Sequence, residues 1–464
     1  MAYRTVANLR EVSVGELTAT CPAASRGART RQPAAQLERW RILRDLLVDA
    51  WVNPEEPTDE LLARHLGVLS RLEADLIARM FHNVRRAFPI PDTAEVDLEG
   101  RRFWFDAEEF GATVPTSVTF SISTDDGTEH VRLKTGRSRS TAAEAAVLWS
   151  AAEAGETFLD LLAATGEVEP IPEPSQPQEL LLGLIAGHSE RGTGVRPGPG
   201  CVWCRRAAVC GAFPSDRPVA AKTKTVNVTK TDVEALDRCH RRVAWRRVHG
   251  IPRDDGEEAE IGSGLGQGRL FHAMVASAEG SDDPEAAVTT FLSGVPPSEV
   301  AELRLMWDNH RRLVEEEDLS IRQAEFPVGV TIIEGEGGDV VGASVIAFLD
   351  LTARDGTGSP VAVELKTGSP RDHVIEDDIY AVGMRRWVGS NVPVVIHRHY
   401  VRHDPPTCEV VVLGPEEVEA ATERLRRRVR PVHEWDWEEP LQPSYREGPW
   451  CDGCEFRLTC RAYR

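Results

Sequence analysis

Cysteine spacing constrains this chain more than any other feature of its sequence. Eight of its nine cysteines fall into two sets with one internal grammar. A lone Cys21 is followed after a long gap by CVWCRRAAVC, with Cys201, Cys204 and Cys210; a lone Cys239 is followed after a long gap by CDGCEFRLTC, with Cys451, Cys454 and Cys460. Both triplets read C-x2-C-x5-C, and Cys408 is left over. Between the cysteines, Phe81-His82 and Phe271-His272 recur in order, then LKTG at 133–136 and 365–368, each LKTG preceding a predicted helix. Similarity repeated in a fixed order marks a repeated structural unit. The chain therefore reads as two copies of one domain, with expected boundaries at 1–212 and 225–464 and a linker at 213–224. A length of 464 residues suits two cores of ordinary size.

No run of apolar residues is long enough to span a membrane, and the start MAYRTVANLREVSVGEL lacks the basic-then-apolar order of a signal peptide. The expectation is a soluble cytoplasmic protein with no membrane partner. In that compartment thiols stay reduced, so structured cysteine spacing points to metal or cluster ligation before disulfides. One remote cysteine plus C-x2-C-x5-C supplies four thiolates, enough for a [4Fe–4S] cluster or a structural zinc ion. A net charge of −20 excludes a surface that coats nucleic acid indiscriminately, because clustered cations supply affinity for phosphates. Any such contact must be local. Arginines bunch at 238–247 and 423–430, and the simplest reading of each bunch is a solvated helix face. No GxxxxGK[ST] loop is present, so the chain carries no ATP-driven motor of its own.

The second copy has the pattern of an α/β domain. TKTDVEALDRCHRRVAWRRV predicts one helix with Val233, Leu236, Val243 and Ala244 as its apolar stripe, and GRLFHAMVASA a second. GSGLGQG at 262–268 reads as a flexible lead into that second helix. SVIAFLDLTARD and SPVAVELKTG, separated by Asp355-Gly356, read as a hairpin. DHVIEDDIYAVGMRRWV has helical spacing, with Val374, Ile375, Ile379, Val382 and Met384 expected on its buried face. VPVVIHRHYVRH and CEVVVLG add two strands, and PEEVEAATERLRRRV a last helix. In IHRHYVRH, His397 and His399 share a strand face near His403; an exposed strand face is the expectation there, ahead of a metal site.

Three residues of the predicted hairpin carry chemistry. Positions i and i+2 of a strand share a face, so Glu364 and Lys366 project together while Leu365 points into the core. Asp350, on the paired strand, reaches the same spot. Two carboxylates and a lysine make a hard-oxygen site for Mg²⁺ or Mn²⁺, with the lysine placed to steady developing negative charge. Taken alone, D…ExK is a weak pattern, common at ordinary strand ends.

The frame around it is more specific: a helix with Cys239, a helix with His272, Asp350, Glu364-Leu365-Lys366-Thr367-Gly368, Tyr380 on the next helix, then Cys451, Cys454 and Cys460. That order resembles the RecB-like branch of the PD-(D/E)XK nucleases, in particular its iron–sulfur members, the CRISPR-associated RecB-like exonucleases and the AddB-type subunits of helicase–nucleases. The resemblance covers 225–464. It implies two tandem restriction-endonuclease-like domains, each a small mixed sheet flanked by helices and stapled by four cysteines. It implies His272, Asp350, Glu364 and the main-chain carbonyl of Leu365 as ligands of Mg²⁺ or Mn²⁺, and Lys366 as the catalytic lysine. Tyr380 matches the DNA-contacting tyrosine of the family's Gln-xxx-Tyr motif, while Glu376 stands where the glutamine is usual and Ala347 where a glycine is usual. Cys239, Cys451, Cys454 and Cys460 would hold one [4Fe–4S] cluster and Cys21, Cys201, Cys204 and Cys210 a second, with zinc as the lesser alternative.

The activity implied is hydrolysis of DNA, on single strands or ends, in phage defence, recombination or repair, with a helicase partner by analogy. The first copy keeps Lys134 and Thr135-Gly136, but Arg132 stands at the place of Glu364, and the place of Asp350 is expected among Ser121, Ile122 and Ser123. It therefore reads as an inactive nuclease-like domain. The alternative for the whole chain is a non-catalytic iron–sulfur DNA-binding or scaffold subunit.

Overall fold

The computed structural model describes residues 9–18, 21, 34–89, 94–125, 127–136, 139–190, 198–204, 207–208, 213, 215, 224–254, 263–335, 341–370, 373–437 and 439–463. Its architecture is mixed α/β, with sheets flanked by helices. Among the described residues, no helix is long and apolar enough to cross a membrane.

In the first half, helices α1 (Ala34–Val52) and α2 (Arg71–Ala87) lie on a five-stranded sheet. Its strands, in spatial order, are β1 (Glu95–Asp97), β2 (Phe120–Thr124), β3 (Gly127–Lys134), β4 (Glu156–Leu162) and β5 (Glu167–Pro170). Leu43 and Leu47 of α1 and Met80, Phe81 and Val84 of α2 meet Ile122, Val131 and Leu161 of the sheet in one core. Helix α3 (Ala142–Ser150), started by a Thr141–Glu144 capping box, carries the chain from β3 to β4.

In the second half, the sheet order is β7 (Ser320–Glu334), β8 (Val341–Arg354), β9 (Pro360–Lys366), β10 (Val394–Tyr400) and β11 (Thr407–Leu413), with β6 (Lys224–Thr229) pairing β8 off that path. Helices α6 (Ser263–Glu279) and α7 (Pro297–Glu316) cover one face, where Phe271, Met306 and Trp307 pack on Leu351, Val363 and Leu365. The other face is covered by α4 (Lys230–Leu236), α8 (Val374–Val388) and α9 (Pro415–His433), through Val233, Ile379, Leu425 and Val429. Between α4 and α6 runs α5 (His240–Ala244).

Both sheets contain the same four-strand path. β2 and β3 are antiparallel, β3 and β4 parallel through α3, β4 and β5 antiparallel. β8 and β9 are antiparallel, β9 and β10 parallel through α8, β10 and β11 antiparallel. Parallel neighbours need a crossover, which the helix supplies in each case.

The structure departs from the sequence reading at several points. The single helix read over 230–248 is broken after α4, and α5 runs into a π turn at Trp245–His249. At the break, Cys239 is extended and the Arg241 N–H donates to the Ser444 carbonyl at 3.0 Å, so the C-terminal segment completes the new helix start. Val374 is 42% exposed and lies off the buried face of α8. Most arginines of 238–247 are not on a solvated face: Arg241 is buried and donates to the Pro443 and Leu441 carbonyls, while Arg246 and Arg247 pair with Asp232, and Arg242 and Arg246 with Glu455; Arg238 is exposed. Arg424 and Arg428 pair with the buried Asp378.

The two halves pack together. Arg39, 1% exposed, donates to the Gly250 and His249 carbonyls at 2.9 and 2.7 Å. Leu72 and Leu76 join Trp245, Ile251 and Phe456 in one apolar cluster. Asn227 of β6 donates its amide to the carbonyls of Cys201, Val202 and Cys204. Of the linker expected at 213–224, Phe213 is buried against Cys201, Val202 and Ile346, and Ser215 bridges to Thr331; 214 and 216–223 lie outside the described residues.

Candidate active site

Strands β8 and β9 part at their ends, and the chemistry gathers in the fork. Their ladder stops at Leu351 opposite Val363, so the next facing residues are Asp350 and Glu364. Here side chains replace ladder bonds: the Leu365 N–H donates to Asp350 Oδ2 at 2.8 Å, and the Asp350 N–H to Glu364 Oε1 at 3.3 Å. Lys366 shares the face of Glu364, with Nζ 3.1 Å from Glu364 Oε2, while Leu365 is buried in the core, as alternation requires. From α6, His272 Nδ1 reaches Asp350 Oδ1 at 2.8 Å. These residues line a cavity of about 330 Å³ with Lys230, Glu376 and Tyr380.

The model of the PD-(D/E)XK nuclease superfamily matches residues 227–461, just over half of the chain. The chain belongs to this superfamily. No curated protein matches it at a significant level. Among solved structures, SSO0001 is similar at 15% identity and a TM-score of 0.23, over 53% of this chain and 90% of its own. A candidate exonuclease from Eubacterium rectale is similar at 12% identity and a TM-score of 0.31, over 53% of this chain and 94% of its own.

PD-(D/E)XK nucleases use divalent metals, and the charges around the fork suit one. Glu364 is 3% exposed. Burial raises its carboxyl well above the usual range, and Asp350 and Glu376 raise it further against the pull of Lys366. Lys366 is itself divided, with Nζ 2.7 Å from Glu376 Oε2. Burial disfavours its charge, but Glu364 and Glu376 outweigh that and hold it firmly protonated. Likewise burial opposes protonation of His272, and the Asp350 carboxylate overcomes it, so the His272 pKa rises. The crowding of Asp350, Glu364 and Glu376 that pushes the Glu364 carboxyl up is what a hard divalent cation bound there would relieve. The fit is not a preformed cage. Among the described residues, three such donors stand mutually within 4.8 Å only at His397, His399 and Cys408.

Sequence reasoning did not single out Lys230, His373 or Glu325. Lys230, at the start of α4, pairs with Glu376, whose Oε2 also lies 3.1 Å from His373 Nδ1. Glu325 lines a second cavity, of about 210 Å³, with His272, Asp350 and Leu365; its φ of 49° is left-handed, a rare backbone for a non-glycine residue in a strand. No spacing in the sequence marks any of the three; tertiary packing brings them in. Tyr380 and Glu376 are each 3% exposed, with Tyr380 donating to the Phe348 carbonyl at 3.2 Å, so both lie at the cavity floor.

The first half has the same fork with different residues. The β2–β3 ladder ends at Phe120 opposite Val131, so Arg132 faces Thr119, not the Ser121–Ser123 stretch expected from sequence. The strand register sets this. Thr119 Oγ1 accepts from the Leu133 N–H at 2.9 Å, as Asp350 does from Leu365. Arg132 is paired with Glu144 at 2.6 Å, and Trp40 Nε1 donates to the Leu133 carbonyl at 3.0 Å.

The cysteine turns also match. Cys201 and Cys451 donate their N–H to Gly198 and Gly448 carbonyls, each at 2.9 Å. Cys204 then bonds Cys201, and Cys454 bonds Cys451, at 3.1 and 3.2 Å. Cys454 and Cys460 pack beside Trp245 and Phe456, and burial pushes the Cys454 thiol up to about 11, with Glu455 and Cys239 adding to the rise. Cys210 lies outside the described residues.

Proposed function

We propose that residues 225–464 are a RecB-like, metal-dependent nuclease that hydrolyses DNA, on single strands or ends. The observation that carries this reading is the gathering of Asp350, Glu364 and Lys366 at one fork, with His272 bonded to Asp350. In this reading His272, Asp350, Glu364 and the Leu365 carbonyl hold Mg²⁺ or Mn²⁺. The bound ion would polarise a phosphoryl oxygen and make a water more acidic.

The protein's own residues do the rest. Asp350 keeps the His272 ring oriented and at the same time holds the Leu365 N–H, which keeps the backbone of Leu365 in the fork. Lys366, held protonated between Glu364 and Glu376, stabilises negative charge at the scissile phosphate. Glu376 acts as a counterion that keeps Lys366 and Lys230 in place, and Tyr380 closes the floor beside Glu364; neither needs to touch DNA directly.

The first half, 1–212, is in this reading a second copy of the domain that cannot cut. The shared strand path and the matching cysteine turns support the duplication. Arg132 and Thr119 in place of two carboxylates, with Trp40 on the Leu133 carbonyl, support the loss of metal binding. Cys239, Cys451, Cys454 and Cys460 hold a [4Fe–4S] cluster, and Cys21, Cys201, Cys204 and Cys210 a second. One remote cysteine and a C-x2-C-x5-C turn in each set supply the four thiolates of such a cluster, with zinc as the alternative occupant. Work beside a helicase, in defence or repair, is an analogy with related domains.

The test uses the purified full chain with end-labelled single- and double-stranded DNA, in Mn²⁺ or chelator, beside Asp350→Asn. Cleavage that needs Mn²⁺ and disappears in the variant is the expected result. No metal-dependent cleavage of any DNA would overturn the enzyme reading and leave a scaffold.

A further inference from the structure

On the opposite sheet face from the Glu364 and Lys366 side chains lies a buried cluster that the reaction does not use. His399 is the in-register neighbour of Leu365, whose side chain faces α6 and α7. His397, two residues earlier on β10, shares that face, and Cys408 of β11 is the cross-strand partner of His399. We propose that His397, His399 and Cys408 bind a divalent cation of the zinc class, which clips the edge strand β11 to β10 against α7.

Geometry favours this. The donor atoms of all three residues lie within 4.8 Å of one another. Cys408 Sγ is 3.7 Å from His397 Nδ1. On a tetrahedral zinc, with metal–ligand bonds of about 2.3 Å to sulfur and about 2.0 Å to nitrogen, those two atoms would stand about 3.5 Å apart. Glu317, just past the end of α7, places a carboxylate oxygen 3.8 Å from the same nitrogen and is the candidate fourth ligand.

The surroundings prepare His399 as a ligand. Its ring is completely buried, at 0% exposure, which corrects the exposed strand face expected from sequence. His399 Nδ1 is 3.3 Å from His310 Nδ1 on α7, and His310 Nε2 is 3.4 Å from a Glu279 carboxylate oxygen. The charge of that carboxylate, which accepts no aligned hydrogen bond from His310, still favours a proton on His310 Nε2, so that His310 Nδ1 accepts from His399 Nδ1. The lone pair is then left on His399 Nε2, which has no hydrogen-bond partner. A hydrogen bond at one ring nitrogen that fixes the tautomer of a ligating histidine is the usual outer support of a metal site. Two imidazoles and a thiolate form a borderline-soft set that prefers zinc-like ions to the hard Mg²⁺ or Mn²⁺ of the fork. The site also gives a role to Cys408, the cysteine outside both repeated sets.

The test is anaerobic titration of the full chain with Co²⁺, read as difference spectra beside Cys408→Ser. Expected are one more equivalent of Co²⁺ in the wild type, a thiolate-to-cobalt charge-transfer band that Zn²⁺ abolishes and excess Mg²⁺ does not, and loss of that band in Cys408→Ser. Identical difference spectra in the two proteins would overturn the proposal. Should Cys408→Ser fail to fold, alkylation of the wild type decides: Zn²⁺ should slow iodoacetamide labelling of Cys408 about tenfold or more, because a ligated thiolate is blocked. Equal labelling with and without Zn²⁺ would exclude the site.

Discussion

Replacing Lys366 by methionine removes one charge and keeps most of the stem. The ammonium sits 2.7 Å from Glu376 and 3.1 Å from Glu364. Glu376 would keep Lys230 and His373, so it is not stranded. Glu364 already favours its protonated form through burial and would neutralise instead of remaining a bare buried anion. The folding cost therefore falls below the ~3–5 kcal/mol of an abandoned buried ion. Lost hydrogen bonds to charged groups set it at about 2 kcal/mol, a drop of roughly 4–8 °C in Tm for a domain of this size. Catalysis should suffer far more, by about 10²–10³-fold, as when one preorganised stabiliser of developing charge is removed. Single-turnover cleavage of end-labelled single-stranded DNA at saturating Mn²⁺ measures the second effect, and melting by circular dichroism the first. A variant that melts in this range yet cleaves within about tenfold of wild type would refute the role given to Lys366.

Three further outcomes are expected. Glu376→Gln keeps a hydrogen-bonding group but deprives two lysines of a carboxylate; stability should fall by about 1–3 kcal/mol in urea melts, with Mn²⁺-dependent cleavage retained within about tenfold. Burial, with Arg39 nearby, lowers the His249 pKa to about 4, so the fold keeps this ring neutral where the unfolded chain takes up a proton. Its contribution is intact above about pH 6.5 and is lost as pH falls toward 4, by about 2 kcal/mol at pH 5; in urea melts at pH 7 and 5, His249→Leu should show a difference smaller by that amount. Cys239→Ala should lose about four iron atoms per chain and melt at lower temperature, as iron analysis and calorimetry would show.

The hairpin of β8 and β9 and the way its side chains face were legible because strand alternation leaves a direct mark in sequence: Glu364 and Lys366 at i and i+2 share one face and Leu365 turns into the core. Strand β7 was not legible. Its first half is mostly exposed and its second half buried on both faces, so it has no period to read. Thr119 was missed because its facing residue depends on a ladder register that a weakly patterned strand does not announce. Lys230 and His373 enter the site only through packing of α4 and α8. The histidines of β10 looked solvent-facing because nothing in their own segment reveals that α7 lies over them.

Arg39 makes the boundary between the halves costly to open. Its guanidinium serves the carbonyls of His249 and Gly250 from across the boundary, while Leu72 and Leu76 cover Trp245, Ile251 and Phe456. A fragment trimmed to residues 227–461 would leave those carbonyls without their donor and bare an apolar patch next to the cysteine turns. Such a piece would aggregate readily, whereas in the intact chain each half covers the apolar patch of the other.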